Sequence, residues 1–412
     1  MAREMKNSGV QWVGEIPSSW EVIRMGYALC LRSDGKGMSD RKIGLENVES
    51  WTGKYIPTET DFEGIGNTFK KNDILFGKLR PYLAKVYLAE FEGQAVGDFL
   101  VFRAKHNVLP KFAKYYLLNP QIIDIINGFT YGSKMPRANW KDISMLPILL
   151  PSYIEQTAIA DFLDAKCGEI DRLLADLDAE VKTLGEYKKS IIAETVTRGL
   201  NPNAPMKASG ISWVGDIPSH WTLQPVFKYF HDRIFFNLDY EYKRAFKFNY
   251  GTLKYKEETG DLALYQQTYI KYSKVKKGDI VINGLNLNYD FISQRVAITP
   301  EDGIITSAYL TIRPFEGVCS EYYCYLFKAM DNMKLFHGMG KGVRLTLSFD
   351  ELKRIKLPIP TEIEQLEIVK YLDEKCAAIE QSIADKQTQI ETLKAYKSSL
   401  IYEYVTGKKQ VV

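Results

Sequence analysis

The stretch Lys78-Leu-Arg-Pro-Tyr-Leu-Ala-Lys85 puts two cations and a phenol at alternate positions (Lys78, Arg80 and Tyr82), with Lys85 three residues on. In an extended chain alternate residues share one face. Two cations and a phenol on one face suit phosphate oxygens and base edges, and a solvated basic strand is the plainer reading. Two glycine-bearing basic segments follow the same logic: Tyr131-Gly-Ser-Lys-Met-Pro-Arg137 and Gly338-Met-Gly-Lys-Gly-Val-Arg344. Glycine lets backbone approach a phosphate chain closely, so Ser133, Lys134, Arg137, Lys341 and Arg344 are candidate contacts. Asn283-Gly-Leu-Asn-Leu-Asn-Tyr-Asp290 is rich in amides, with Arg295 closing the stretch. An asparagine pairs bidentately with adenine N6 and N7, which makes Asn283, Asn286 and Asn288 candidate base readers, and Arg295 is a further candidate DNA contact. A turn held by local side-chain bonds is the alternative.

The familiar catalytic patterns are incomplete in this sequence. Asn119-Pro120-Gln121 and Asn201-Pro202-Asn203 lack the second proline and the aromatic that an amine-accepting Asn-Pro-Pro-aromatic loop requires. Gly338-Met-Gly-Lys-Gly is not the Gly-x4-Gly-Lys-Ser/Thr phosphate cradle. Glu351-Leu-Lys353 and Asp373-Glu-Lys375 have the spacing of nuclease triplets, but such triplets are common and read better as solvated edges. His106, His220, His231 and His337 are isolated, and Cys319 and Cys324 have no second cysteine pair, so no metal site is expected. The residues describe a binding protein, not a catalyst.

The elements that position these residues come in duplicate. Ser8-Gly-Val-Gln-Trp-Val-Gly-Glu-Ile-Pro-Ser-Ser-Trp20 returns as Ser209-Gly-Ile-Ser-Trp-Val-Gly-Asp-Ile-Pro-Ser-His-Trp221, with nine of thirteen positions identical. Indoles so close to prolines read as core. Lys71-Asn-Asp-Ile-Leu75 matches Lys277-Gly-Asp-Ile-Val281, and Phe99, Leu100 and Arg103 fall on Tyr309, Leu310 and Arg313. Each half then carries an aromatic helical stretch, its basic glycine segment and a Leu/Ile-Pro strand. Ser152–Thr197 carries apolar residues every seven positions, at Leu163, Ile170, Leu177, Leu184 and Ile191. That spacing is a coiled-coil seam, on a helix of about 65–70 Å. The partner is Thr361–Thr406, where Leu372, Cys376, Ile379, Ile383, Ile390, Leu393 and Leu400 carry the second seam. Lys188 and Lys397 occupy equivalent seam positions, where a polar residue either specifies register or snorkels.

The expected organisation is α+β. Two mixed α/β globules, 1–151 and 204–360, alternate with helical regions 152–203 and 361–412, in a pseudo-twofold repeat whose helices pair antiparallel. Net charge follows the division: +4 over residues 1–150, −4 over 151–205, +5 over 206–358 and −2 over 359–412. Basic globules suit an anionic partner and acidic helices do not. No apolar leader and no run of about 18 apolar residues is visible. Five dispersed cysteines suit a reduced, cytoplasmic setting.

Trp12-Val-Gly-Glu-Ile-Pro-x-x-Trp20 with its repeat, the Lys-x-x-Asp-Ile and Gly-Lys-Leu-Arg-Pro-Tyr-Leu stretches, and Pro-x-x-Ile-Glu-Gln opening each long helix resemble the DNA-specificity subunits of type I restriction–modification enzymes. The resemblance covers essentially the whole chain. It implies two target-recognition domains, each reading one half of a split double-stranded DNA sequence. It implies helices that space the domains and dock two modification subunits, which bind S-adenosylmethionine and methylate adenine. It further implies restriction subunits that translocate DNA with ATP and Mg2+, and no cofactor or catalytic residue in this chain.

Overall fold

A computed structural model describes residues 3–32, 36–37, 41–58, 66–105, 107–132, 134–232, 235–257, 262–343 and 345–411. The chain forms two compact units: Met1–Ala179 with Lys386–Val412, and Glu180–Asp385. Each unit takes one globule and part of each long helix. Among the described residues no helix is long and apolar enough to cross a membrane.

The first globule is built on an antiparallel sheet in the order Leu29–Leu31, Phe99–Ala104, Ile74–Gly77, Val86–Leu88. The second repeats it as Phe230–His231, Leu310–Pro314, Ile280–Ile282, Val296–Ile298. The matching Lys-x-x-Asp-Ile segments lead into the equivalent inner strands. Asp73 and Asp279, both 1% exposed, explain the motif. Asp73 accepts the Lys70 amide at 2.7 Å and the Arg103 guanidinium at 2.8 and 2.9 Å. Asp279 accepts the Lys276 amide at 2.8 Å and Arg313 at 2.7 and 2.9 Å. A buried carboxylate thus ties the turn before one strand to the neighbouring strand, twice over.

Each globule is closed by its own ends. Glu21–Arg24 pairs antiparallel with Pro147–Leu150, and Thr222–Pro225 with Lys356–Ile359. The duplicated tryptophans are core: Trp20 and Trp221 are 0% and 1% exposed. Their indole N–H groups donate to Glu155 at 3.0 Å and to Glu364 at 3.3 Å, the acids of the Ile-Glu-Gln motifs. The motif glutamines are buried as well. Gln156 donates to the Asn107 and Pro151 carbonyls, both at 3.0 Å, and Gln365 donates to Pro360 at 3.2 Å.

The long helices span Tyr153–Arg198 and Glu362–Val405. In the first unit the pairing is antiparallel: the Phe162 and Tyr404 rings lie 4.4 Å apart, and Lys397 donates to Asp171 at 2.6 Å. Leu163, Ile170 and Leu400 are buried there with Cys167, Ile401 and Val405, while Leu177 and Leu393 are half-buried. In the second unit Ile192 and Val196 share a core with Ile368, Leu372 and Cys376. Ile191 and Ile379 are also buried, Leu184 is half-buried, and Lys188 pairs with Glu380. The Lys397–Asp171 pair is the more enclosed, with both side chains under 10% exposed and Lys54 at 3.3 Å from the same carboxylate.

Replacing a buried ion pair by two apolar side chains is neutral or stabilising, whereas removing one partner strands a charge. Asp171→Leu alone is therefore expected to cost about 3–5 kcal/mol, and Asp171→Leu with Lys397→Leu to restore or exceed the parental stability. Urea unfolding of the two variants checks this.

The first unit also joins segments far apart in sequence. Val13, Ile16 and Trp20 share a core with Leu400, Ile401 and Val405. Tyr402 donates its hydroxyl to the Trp12 carbonyl at 3.2 Å, and Lys408 reaches the Glu15 carbonyl at 2.6 Å.

Candidate nucleic-acid interface

In the first unit two of the sequence-selected segments meet. Beyond the strand Ile74–Gly77, the Lys78 amide donates to Asp98 at 2.8 Å and the Lys78 carbonyl accepts from Ala138 at 2.9 Å. The Arg80 amide donates to Pro136 at 2.8 Å, and Leu79 bridges to Arg137. Tyr131 and Arg137 form a bridge of their own across the loop that carries Lys134, and the Arg137 guanidinium lies 3.3 Å from Asp98. Arg80, Lys134 and Arg137 are exposed and Lys78 is half-buried. Tyr82 and Tyr131 stand 46% and 69% exposed beside them.

The Lys78–Tyr82 stretch is not extended. Arg80 has φ 51°, and Pro81–Leu83 is a 3-10 turn. The proline fixes its own φ and starts the turn, so the three side chains do not alternate on one strand face. Tertiary contact with the second segment brings the cations together instead.

Lys85 lies elsewhere. Its ammonium donates to the Leu45 and Val48 carbonyls at 2.7 and 2.8 Å, and burial pulls its pKa down against the pull of Glu46. It ties down the loop around Leu45–Asn47 and is spent on that task.

The second unit assembles the equivalent loops by equivalent bonds. The Gly284 carbonyl, in the place of Lys78, accepts from Leu347 at 3.0 Å, and the Leu287 amide donates to Leu345 at 3.1 Å. Asn288 reaches the Val343 carbonyl at 3.5 Å. Asn283 turns its side-chain oxygen onto the Leu285 amide at 3.3 Å, the local bond of an amide-rich turn, while Asn286 is exposed at φ 52°. Lys341 is 78% exposed and pairs with Glu351 at 2.8 Å. That pair, with the Ser348 hydroxyl, holds the Glu351 carboxyl down at about 2. Glu351 also caps the short helix Phe349–Leu352, so the nuclease-like triplet is a helix cap. Among the described residues no group of three or more His, Cys, Asp or Glu could hold a metal. Ser133, Arg344 and His106 lie outside the described residues.

Arg295 is not a surface contact. It is 1% exposed, and its guanidinium donates to the carbonyls of Asn283, Leu285 and Asp290 at 2.8, 2.9 and 2.7 Å. Three carbonyls of one loop converge on a single side chain. A cation can be buried at such a site because both terminal nitrogens of the guanidinium are bonded.

Residues 51–183 match the family model for the type I restriction modification DNA specificity domain. Over those residues the chain is similar to the type I restriction–modification specificity family. It is 25% identical over 187 residues to the EcoDI specificity subunit of Escherichia coli, a match spanning 43% of this chain and 42% of that subunit. It is 24% identical to the MjaVIII specificity subunit of Methanocaldococcus jannaschii, over 96% of this chain and 94% of that one. In fold it resembles a chain from a structural study of type I complex assembly and conformational transition, with TM-score 0.72 at 15% identity over 96% of this chain and 99% of that one. The HsdS subunit from Thermoanaerobacter tengcongensis gives TM-score 0.52 at 16% identity, over 96% of this chain and 98% of that one.

Proposed function

We propose that this chain is the DNA-specificity subunit of a cytoplasmic type I restriction–modification complex, and that it recognises DNA without catalysing a reaction. Each unit reads one half of a split target. The first does so through Lys78, Arg80, Tyr82, Lys134 and Arg137, and the second through Asn283, Asn286, Asn288 and Lys341. The carrying observation is the recurrence of one loop pair, joined by equivalent backbone bonds, at the edge of the same sheet in both units. Loops held on a rigid sheet are free to diverge in sequence while keeping their place, as two readers of different half-sites require.

The helical regions set the spacing between half-sites and dock two modification subunits. Those partners bind S-adenosylmethionine and methylate adenine, and restriction subunits using ATP and Mg2+ join them. The test is methylation mapping of a host genome with and without this chain. A split motif carrying N6-methyladenine on both strands, present only with the chain, is the expected result. Methylation by the purified chain alone, or a motif that persists in its absence, would overturn the reading.

A further inference from the structure

The loop that Arg295 holds is unusual in what it displays. Its backbone is fixed from within by the three carbonyl bonds to the buried guanidinium. Asp290 adds a second tie, accepting the Ile292 and Ser293 amides at 3.0 and 2.9 Å. His337 adds a third, with its Nε2 3.0 Å from the Asp290 carbonyl and its ring stacked on Phe291 at 4.6 Å. At the tip of this rigid loop Ile292 is 94% exposed and Tyr289 77%. The facing segment, bonded through Asn288, shows Val343 at 95%.

A mobile loop with an exposed isoleucine needs no explanation. A loop braced by a buried arginine, so that an isoleucine stands almost wholly in water beside an equally exposed valine on the segment bonded to it, implies a fixed apolar target. On a DNA groove the apolar target available is the C5 methyl of thymine, which projects into the major groove beside the acceptors and donors that amides read.

We propose that the Arg295-braced loop 283–293 and the facing Val343 form a thymine-reading element, in which Ile292 and Val343 enclose the C5 methyl of a thymine in one half of the target. The inference rests on the DNA-specificity reading. Arg295 is then a positioning residue: it touches no base and holds the residue that does.

Deoxyuridine differs from thymidine only by that methyl. The assay is duplex affinity of the full complex with modification subunits. Its probes carry the mapped target with deoxyuridine replacing each thymine of the second unit's half-site in turn. Burial of one methyl corresponds to about a three- to fivefold effect. One position should weaken by that factor, and Ile292→Ala with Val343→Ala should bring the thymine duplex to the deoxyuridine level while sensitivity in the other half-site stays unchanged. Both side chains are exposed, so the variants leave the fold intact.

A half-site without thymine overturns the proposal. So does equal affinity for every deoxyuridine probe, or discrimination that survives the double substitution. Loss of assembly with the modification subunits in the double variant would assign the residues to a protein contact and also overturn it. A complex that methylates a split motif but ignores the methyl sinks only this inference. A chain that confers no split motif sinks the functional reading itself.

Discussion

A chimaera whose residues 204–360 come from another specificity subunit will direct methylation to a split motif that keeps one half of the parental target and gains one half of the donor's. The second globule closes on itself through the ladder between Thr222–Pro225 and Lys356–Ile359, so its two chain ends leave side by side. Its sheet and its loop pair lie wholly between those ends. The exchange therefore cuts the chain at two points and breaks no strand pair within the globule. Contacts to the retained helices constrain the choice of donor: Trp221 packs in the core and donates to Glu364, Tyr322 donates to the Val196 carbonyl at 3.1 Å and Tyr325 to Asp373 at 2.6 Å, so the donor must keep these three side chains. Genome-wide methylation mapping reads the outcome, and a change in both halves of the motif would refute the modular assignment.

Arg313→Ala should destabilise the second unit by about 3–5 kcal/mol, because it leaves the Asp279 carboxylate buried without a cation. Asp279 is 1% exposed and Arg313 is its salt-bridge partner. The equivalent change Arg103→Ala should cost less, about 1–2 kcal/mol. The Arg103 side chain is 41% exposed, and Arg32 stands 3.7 Å from the same Asp73 carboxylate as a reserve cation. Denaturant unfolding of the two variants, with a calorimetric scan for separate transitions, measures the difference. Equal losses would mean that Arg32 does not compensate.

What the sequence reveals depends on how local the signal is. The seven-residue spacing of Leu163 and Ile170, and of Leu372 and Ile379, reports a helical seam directly, because that pattern is a property of one element. The duplicated tryptophan segment is equally plain as a repeat. Its bond to the Ile-Glu-Gln motif is not, since Trp20 and Glu155 stand far apart in sequence and only the folded core joins them. Lys85 and Arg295 show the limit most clearly. A sequence records a cation but not the carbonyls that converge on it, so two lysine and arginine positions chosen as DNA contacts prove to be internal ties. Pro81 was the available warning against an extended Lys78–Tyr82 strand. Ile292 carries no signal at all: an isolated aliphatic residue among turn formers stands out only once its loop is seen to be braced.

The packing of residues 13–20 against residues 400–405 has a consequence for biosynthesis. The amino-terminal core that holds Val13, Ile16 and Trp20 needs Leu400, Ile401 and Val405 to be complete. At ribosomal rates those partners emerge on the order of 20–80 s after the first tryptophan. During that interval the second globule has all of its sheet strands, while the first, although made earlier, still lacks a wall of its core. The first globule is thus completed only after the second has been made, against the order in which the two occur along the chain.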